Sequence, residues 1–406
     1  ENKRNGNDSG GSSRRDFLKM MGFGISAATM AACEAPIRKA IPYVVKPVDV
    51  DPSIPNYYAS TFFEGGDYCS IVVKTREGRP IKLKGNDRSS VTMGGINSQV
   101  EASVLSLYDK QRFSGPMANG EPTTWEELDN IVTSDLRSIS SRGGNIGLVS
   151  NTVLSPSTQA AIYNMVDAYP GMRHIMYDSY AVDGMLDAYQ SATGQRIIPT
   201  LDFSKASSIV SFGADFLGTW IAPITYARQY AETRKVSQRK KEMSRHYQFE
   251  ANLSLSGANA DYRTQIKPSQ EGLVVGALHN MIASKAGMSA VSFTKVEEVK
   301  HLQEAANHLW ANRGQSLVVS GSNDPAIQGL VIAINDMLGN YGNTIDLSRP
   351  SYYRRGDSNA MSQLVQDANG GRYDALIFFN CNPVYDFYEG AALGAALDKV
   401  SLKITT

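Results

Sequence analysis

Asp374-Ala375-Leu376-Ile377-Phe378-Phe379, running straight into Asn380-Cys381-Asn382-Pro383, decides the fold. An unbroken apolar run of this length, closed by a loop of Asn and Pro, reads as a strand buried on both faces. The same unit occurs upstream. Ser207-Ser208-Ile209-Val210-Ser211-Phe212 ends in Gly213-Ala214-Asp215, and Gln315-Ser316-Leu317-Val318-Val319-Ser320 ends in Gly321-Ser322-Asn323-Asp324-Pro325. Asn145-Ile146-Gly147-Leu148-Val149-Ser150 is a fourth, and Ser157 to Tyr169 after it reads as a helix. Apolar strands alternating with helices predict a parallel α/β sheet, which binds ligands at the carboxyl ends of its strands, where these polar loops lie. No loop matches G-x-G-x-x-G or G-x-x-x-x-G-K-[ST], so nicotinamide and P-loop nucleotide chemistry lack their motifs.

Upstream of the repeated units, Thr124 begins a helix. Glu127 stands at capping-box spacing from it, and Trp125, Leu128, Ile131, Val132, Leu136 and Ile139 form one apolar face. Before that, Ile71-Val72-Val73-Lys74-Thr75 and Pro80-Ile81-Lys82-Leu83-Lys84 flank Glu77-Gly78 and predict a β-hairpin. Tyr226 to Gln248 reads as a basic helix carrying Arg234, Lys235, Arg239, Lys240, Lys241 and Arg245, either a solvated face or a surface for an anionic partner.

The N-terminal stretch is of another kind. Glu1 to Ser13 is polar and rich in Gly, Asn and Ser, and reads as disordered. Arg14 and Arg15 precede Asp16-Phe17-Leu18-Lys19 and a weakly apolar run to Ala32, too poor in Leu, Ile and Val to span a bilayer. This reads as a twin-arginine export signal, against an amphipathic first helix as the plainer alternative. Met30-Ala31-Ala32 before Cys33 resembles a lipobox, so Cys33 is either a lipid anchor or an ordinary cysteine. Residues 34–56, with Pro36, Pro42, Pro47, Pro52 and Pro55, predict an extended linker. The expected organisation is therefore a signal over 1–33, a linker over 34–56, a small β domain over 57–120, and α/β domains over 121–406, two of them interleaved in one version of the division.

Composition sets limits. The 406 residues suffice for roughly two to three folding units. The sequence opens on Glu1 and reads as a segment of a longer polypeptide. Lys plus Arg and Asp plus Glu each count 40, so no general attraction to nucleic acid is expected. The three cysteines, Cys33, Cys69 and Cys381, are far apart and form no C-x-x-C pair, too few for a four-cysteine iron–sulfur cluster. None of His174, His246, His279, His301 and His308 pairs at a helical metal spacing.

The segments from Tyr68 to Asn86, Leu107-Tyr108-Asp109-Lys110-Gln111-Arg112, Thr124-Trp125-Glu126-Glu127, Ala260-Asp261-Tyr262-Arg263 and Asn380-Cys381-Asn382-Pro383 resemble, in order, the molybdopterin oxidoreductases over 57–406. The twin-arginine start, Cys33-Glu34-Ala35-Pro36, Ile41-Pro42-Tyr43-Val44-Val45-Lys46-Pro47 and the stretch Asn252 to Arg263 are similar to the molybdopterin-oxidoreductase-like iron–sulfur subunits of alternative complex III. The resemblance implies a small N-terminal β domain followed by Rossmann-like parallel-sheet domains. It implies a place on the periplasmic side of the inner membrane in a menaquinol-oxidising complex, with a quinol-binding membrane subunit and cytochrome c subunits as partners. Iron–sulfur clusters are expected in polypeptide following Thr406, and haem c in the partner subunits. This chain departs from catalytic relatives in two ways. It has Cys69 alone where they gather cluster cysteines, and Tyr177-Asp178-Ser179-Tyr180-Ala181-Val182-Asp183-Gly184, without a thiol, where they hold the metal. The departures imply a structural, cofactor-free role, with no catalytic, cofactor or metal residue. The alternative is an active molybdopterin oxidoreductase with an oxygen ligand from Asp178 or Ser179, whose plainer role is to cap a helix.

Overall fold

The computed structural model describes residues 51, 54–64, 67–238, 241–294 and 297–406. Arg14, Arg15, Cys33 and nearly all of the proline-rich stretch lie outside the described residues. Pro52–Thr406 forms one compact unit.

That unit begins with an antiparallel meander of β1 (Asn56–Glu64), β2 (Asp67–Arg76) and β3 (Arg79–Gly85). Glu77 (φ 52°) and Gly78 (φ 76°) join β2 to β3 with both residues left-handed, as the right-handed twist of a two-residue hairpin requires. A two-residue ribbon, β4 (Met117–Ala118) with β5 (Glu121–Pro122), precedes the helix Trp125–Ser141. Thr124 and Glu127 form the expected capping box on that helix.

The chain then builds two parallel sheets. One contains β6 (Ile146–Ser150) and β7 (Met172–Met176). A short strand β8 (Ile198–Leu201) follows, and the second sheet takes β9 (Ser208–Phe212), β10 (Arg245–Glu250), β11 (Tyr262–Gln265) and β12 (Ser316–Ser320). After β13 (Ile345–Ser351), which pairs antiparallel with β8, the chain returns to the first sheet for β14 (Ala375–Phe379) and β15 (Leu402–Thr405). The spatial orders are β15-β14-β6-β7 and β11-β10-β9-β12, with all neighbours parallel.

Every residue of β6, β9 and β12 is buried, because helices cover both faces. The two faces alternate residue by residue. Ile209, Leu317 and Val319 pack with Phe216, Trp220 and Tyr226 on one side. Val210, Phe212, Val318 and Phe249 pack with Val274, Leu278 and Leu309 on the other. The first sheet repeats this, with Ile146, Leu148 and Ile377 on one face and Val149, Leu376 and Phe378 on the opposite one. Burying each such side chain contributes about 1.5–3 kcal/mol, which makes these strands the rigid floor under the loops.

One expected helix is corrected. Tyr226 to Gln248 is not continuous: the helix Pro223–Arg234 ends, and Arg245–Glu250 is strand β10. His246, Gln248 and Glu250 share one face of that strand, and the sheet buries them because they bond one another. His246 Nε2 lies 3.1 Å from Gln248 Oε1, and Gln248 Nε2 donates to Glu250 Oε2 at 3.1 Å. Nor do the basic residues share one face. Arg234 donates to both oxygens of Asp261, at 2.8 and 2.7 Å, while Arg239 and Lys240 lie outside the described residues.

Candidate functional site

In each sheet the strand order reverses once, and a parallel sheet opens a crevice there at the carboxyl ends. In the first sheet the reversal lies between β6 and β14. The crevice is a cleft of about 610 Å³ lined by Asn151, Asn380, Cys381, Asn382 and Asp386 among others. Asn380 adopts a left-handed φ of 49° at the end of β14. The Cys381 thiol donates to the Val149 carbonyl at 3.4 Å. Burial, then the charge of Asp386, pushes it up to about 12, so it stays protonated and is a poor metal ligand. Beside it the Tyr177 hydroxyl donates to Asp386 at 2.6 Å.

In the second sheet the reversal lies between β9 and β12, where Gly213-Ala214-Asp215 faces Gly321-Ser322-Asn323. A Cβ on Gly321 would stand 2.6 Å from the Gly213 carbonyl oxygen, so the two loops meet only through glycine. Asp215 accepts from the backbone and hydroxyl of Ser256, both at 2.9 Å. Glu271 opens the helix Glu271–Ala286 and accepts from Ser320 at 3.1 Å, and burial raises its carboxyl above the usual range.

The thiol-free window Tyr177–Gly184 follows β7. Its Tyr180 hydroxyl is raised by burial and by the charges of Asp215 and Glu271, against that of Arg354. Asp178 is buried and engaged by four donors: Oδ1 accepts from Thr152 N at 3.1 Å, and Oδ2 from Thr152 Oγ1 at 2.8 Å, Arg355 N at 3.1 Å and Gly356 N at 2.8 Å. Ser179 is exposed. Neither caps the next helix, Asp183–Thr193, whose N-cap is Val182 without a side-chain bond. Instead Gly184 N donates to Asn323 Oδ1 at 2.8 Å, which ties the window to the second sheet. Asp183 accepts from Arg196 Nη2 at 2.8 Å and from the Ser358 hydroxyl at 2.5 Å.

One residue escaped the sequence reading. Arg354 leaves only 2% of its side chain exposed, and its Nε has no hydrogen-bond partner. Nη1 donates to the Tyr353 carbonyl at 3.0 Å and Nη2 reaches Asp67 at 3.4 Å. Burial outweighs the attraction of Arg354, so the Asp67 carboxyl lies above its ordinary range. The only hint in the sequence was the run Tyr352-Tyr353-Arg354-Arg355, two aromatics followed by two cations.

No family model matches the chain. It is 21% identical over 381 residues to the menaquinone reductase, molybdopterin-binding-like subunit of Nitratidesulfovibrio vulgaris, covering 82% of this chain and 53% of that protein. A second match, 29% over 76 residues, is to the probable oxidoreductase YoaE of Bacillus subtilis, covering 17% of this chain and 11% of that one. Among solved structures, acetylene hydratase from Pelobacter acetylenicus superposes with a TM-score of 0.62 at 9% identity, over 83% of this chain and 59% of that chain. The fold is molybdopterin-oxidoreductase-like. The chain spans about half the length of the curated relative that it matches over most of its own length.

A molybdopterin-oxidoreductase-like fold raises the question of whether these residues fit an iron–sulfur cluster or a bound metal. They do not. Among the described residues Cys69 is a lone buried thiol, donating to the Gly95 carbonyl at 3.3 Å, and burial pushes it up to about 11. The buried Asp178 carboxylate is engaged by four protein donors, and among the described residues no three of His, Cys, Asp and Glu gather as a metal site. Cys69 and Cys381 are both free thiols.

Proposed function

We propose that this chain is a structural, cofactor-free part of the large periplasmic subunit of a quinol:electron-acceptor oxidoreductase of the alternative complex III type. One observation carries the reading. In the loop where catalytic members of the resembled family hold their metal, the buried carboxylate of Asp178 accepts four protein hydrogen bonds and serves as an architectural brace. The likeness to a menaquinone reductase subunit supports the association with quinol chemistry and with a membrane-bound multi-subunit complex. In this reading, Arg14 and Arg15 direct twin-arginine export and Cys33 carries the lipid anchor. Electrons pass through iron–sulfur clusters in polypeptide outside this stretch and through haem c in neighbouring subunits. The α/β sheets brace those carriers. The test is to purify the tagged native protein from membranes and assay reduction of cytochrome c by a menaquinol analogue. Co-purifying haem c subunits and quinol-dependent activity that survives D178N support the reading. A chain that purifies alone, or a quinol activity abolished by D178N with the fold intact, would overturn it.

A further inference from the structure

The helix Trp125–Ser141 leaves the N-terminal end of its apolar face uncovered. Leu136 and Ile139, in its C-terminal half, are buried against Ile146, Leu148 and Ile162. Leu128 and Val132 on the same face are half-buried, whereas Trp125 at its start is 67% exposed and Ile131, on its flank, is 46% exposed. The preceding chain continues the pattern, with Leu105, Leu107, Phe113 and Met117 exposed and Phe113 at 82%. Between them, β4 and β5 pair only with each other among the described residues. So short an isolated ribbon is not stable in water by itself. Single exposed apolar residues are ordinary on a protein surface. Six large ones in one stretch, with the open start of an amphipathic helix face and a ribbon that needs support, mark an interaction surface.

The charges and the relatives indicate what covers it. Asp109, Glu121, Glu126, Glu127 and Asp129 outnumber Lys110 and Arg112 in this stretch, which disfavours an anionic lipid surface. The chain matches 53% of the menaquinone reductase subunit and 59% of acetylene hydratase, so each of those proteins carries a further large block of polypeptide beyond the shared part. We infer that residues 105–131 are the docking surface for a folded polypeptide, the block that completes the subunit in such relatives, with Phe113 and Trp125 as its aromatic anchors. The inference rests on the proposed reading that the chain belongs to a larger oxidoreductase subunit. Aromatic anchors of this size bury 150–250 Å² each and dominate interface energetics.

Photo-crosslinking in the assembled complex tests it. Phe113→p-benzoylphenylalanine and Trp125→p-benzoylphenylalanine are compared with the same substitution at Tyr163, an exposed position on the helix Pro156–Ala168. The expected result is crosslinking from 113 and 125, but not from 163, to peptides outside residues 1–406. Crosslinks to lipid or to residues 1–50, or none above the Tyr163 control, would overturn the inference. The double variant F113D/W125D adds a second readout: after limited proteolysis of the purified complex, at least tenfold less of the covering polypeptide stays bound to the fragment that carries residues 105–131. If that variant does not fold, the crosslinks decide alone. Metal content separates the two ideas. Stoichiometric molybdenum with crosslinks intact sinks the cofactor-free reading only, and a metal-free complex without crosslinks sinks the docking surface only.

Discussion

Replacing Asp178 with Asn distinguishes a brace from a metal ligand. The carboxylate accepts four hydrogen bonds, three at Oδ2 and one at Oδ1. Asparagine keeps one acceptor oxygen. Turned so that this oxygen serves Arg355 N and Gly356 N, its NH₂ group faces the Thr152 N–H, which loses its partner. Turned the other way, the Gly356 N–H is left without one, while Arg355 N keeps its bond to Thr152 Oγ1 at 2.7 Å. Either orientation leaves one buried orphan donor, at about 1–3 kcal/mol, and converts the remaining bonds from charge-assisted to neutral, at about 1 kcal/mol each. With three bonds remaining, the sum is about 4–6 kcal/mol. Urea unfolding followed by tryptophan fluorescence measures it. With a slope near 3 kcal/mol/M, the midpoint falls by about 1 M or more. An unchanged midpoint would refute the brace, and an unchanged midpoint together with loss of a bound metal would make Asp178 a ligand.

Other predictions follow from the same geometry. Burial, against the hydrogen bond that its Nε2 donates to Gln248, lowers His246 to about 4 from 6.5. Its folded value is depressed, so its contribution is complete above pH 6.5 and is lost as pH falls through about 4. At 1.36 kcal/mol per unit that is roughly 3 kcal/mol, and in H246Q the acid limb of stability against pH flattens over this window. Removing Asp67 strands the buried Arg354 guanidinium, so D67A loses about 3–5 kcal/mol, whereas D67L/R354M returns close to the wild-type urea midpoint. If D67A unfolds no more easily than wild type, the pair is not the buried contact described. The high thiol values of Cys69 and Cys381 predict slow alkylation by iodoacetamide at pH 8 in the folded protein and fast alkylation in urea, read by mass spectrometry.

The apolar strands were legible because β6, β9, β12 and β14 are buried on both faces and leave continuous Val, Ile, Leu and Phe runs. Strand β10 was not, because Arg245-His246-Tyr247-Gln248-Phe249-Glu250 carries a polar residue at every second position. Only the third dimension reveals that those polar side chains satisfy one another inside the protein. Strand β7, Met172-Arg173-His174-Ile175-Met176, was hidden in the same way, since the His174 ring finds Ser150 Oγ at 2.8 Å on the neighbouring strand. In the candidate site, the absence of thiols from the Tyr177–Gly184 window could be read directly. What Asp178 does could not, because two of its four donors are backbone groups at Arg355 and Gly356, remote in sequence. Arg354 was invisible for a related reason: nothing in the pattern around an arginine says that its guanidinium will be buried beside Asp67, at the start of β2 in the antiparallel meander.

The central claim is that this chain keeps a molybdopterin-oxidoreductase-like fold for architecture. Elemental analysis of the complex purified from native membranes tests it most directly, counting molybdenum, tungsten and iron against this chain. The account predicts iron from neighbouring polypeptide and no molybdenum or tungsten in proportion to the chain. One atom of either metal per chain would contradict it and return the Tyr177–Gly184 window to the search for a ligand.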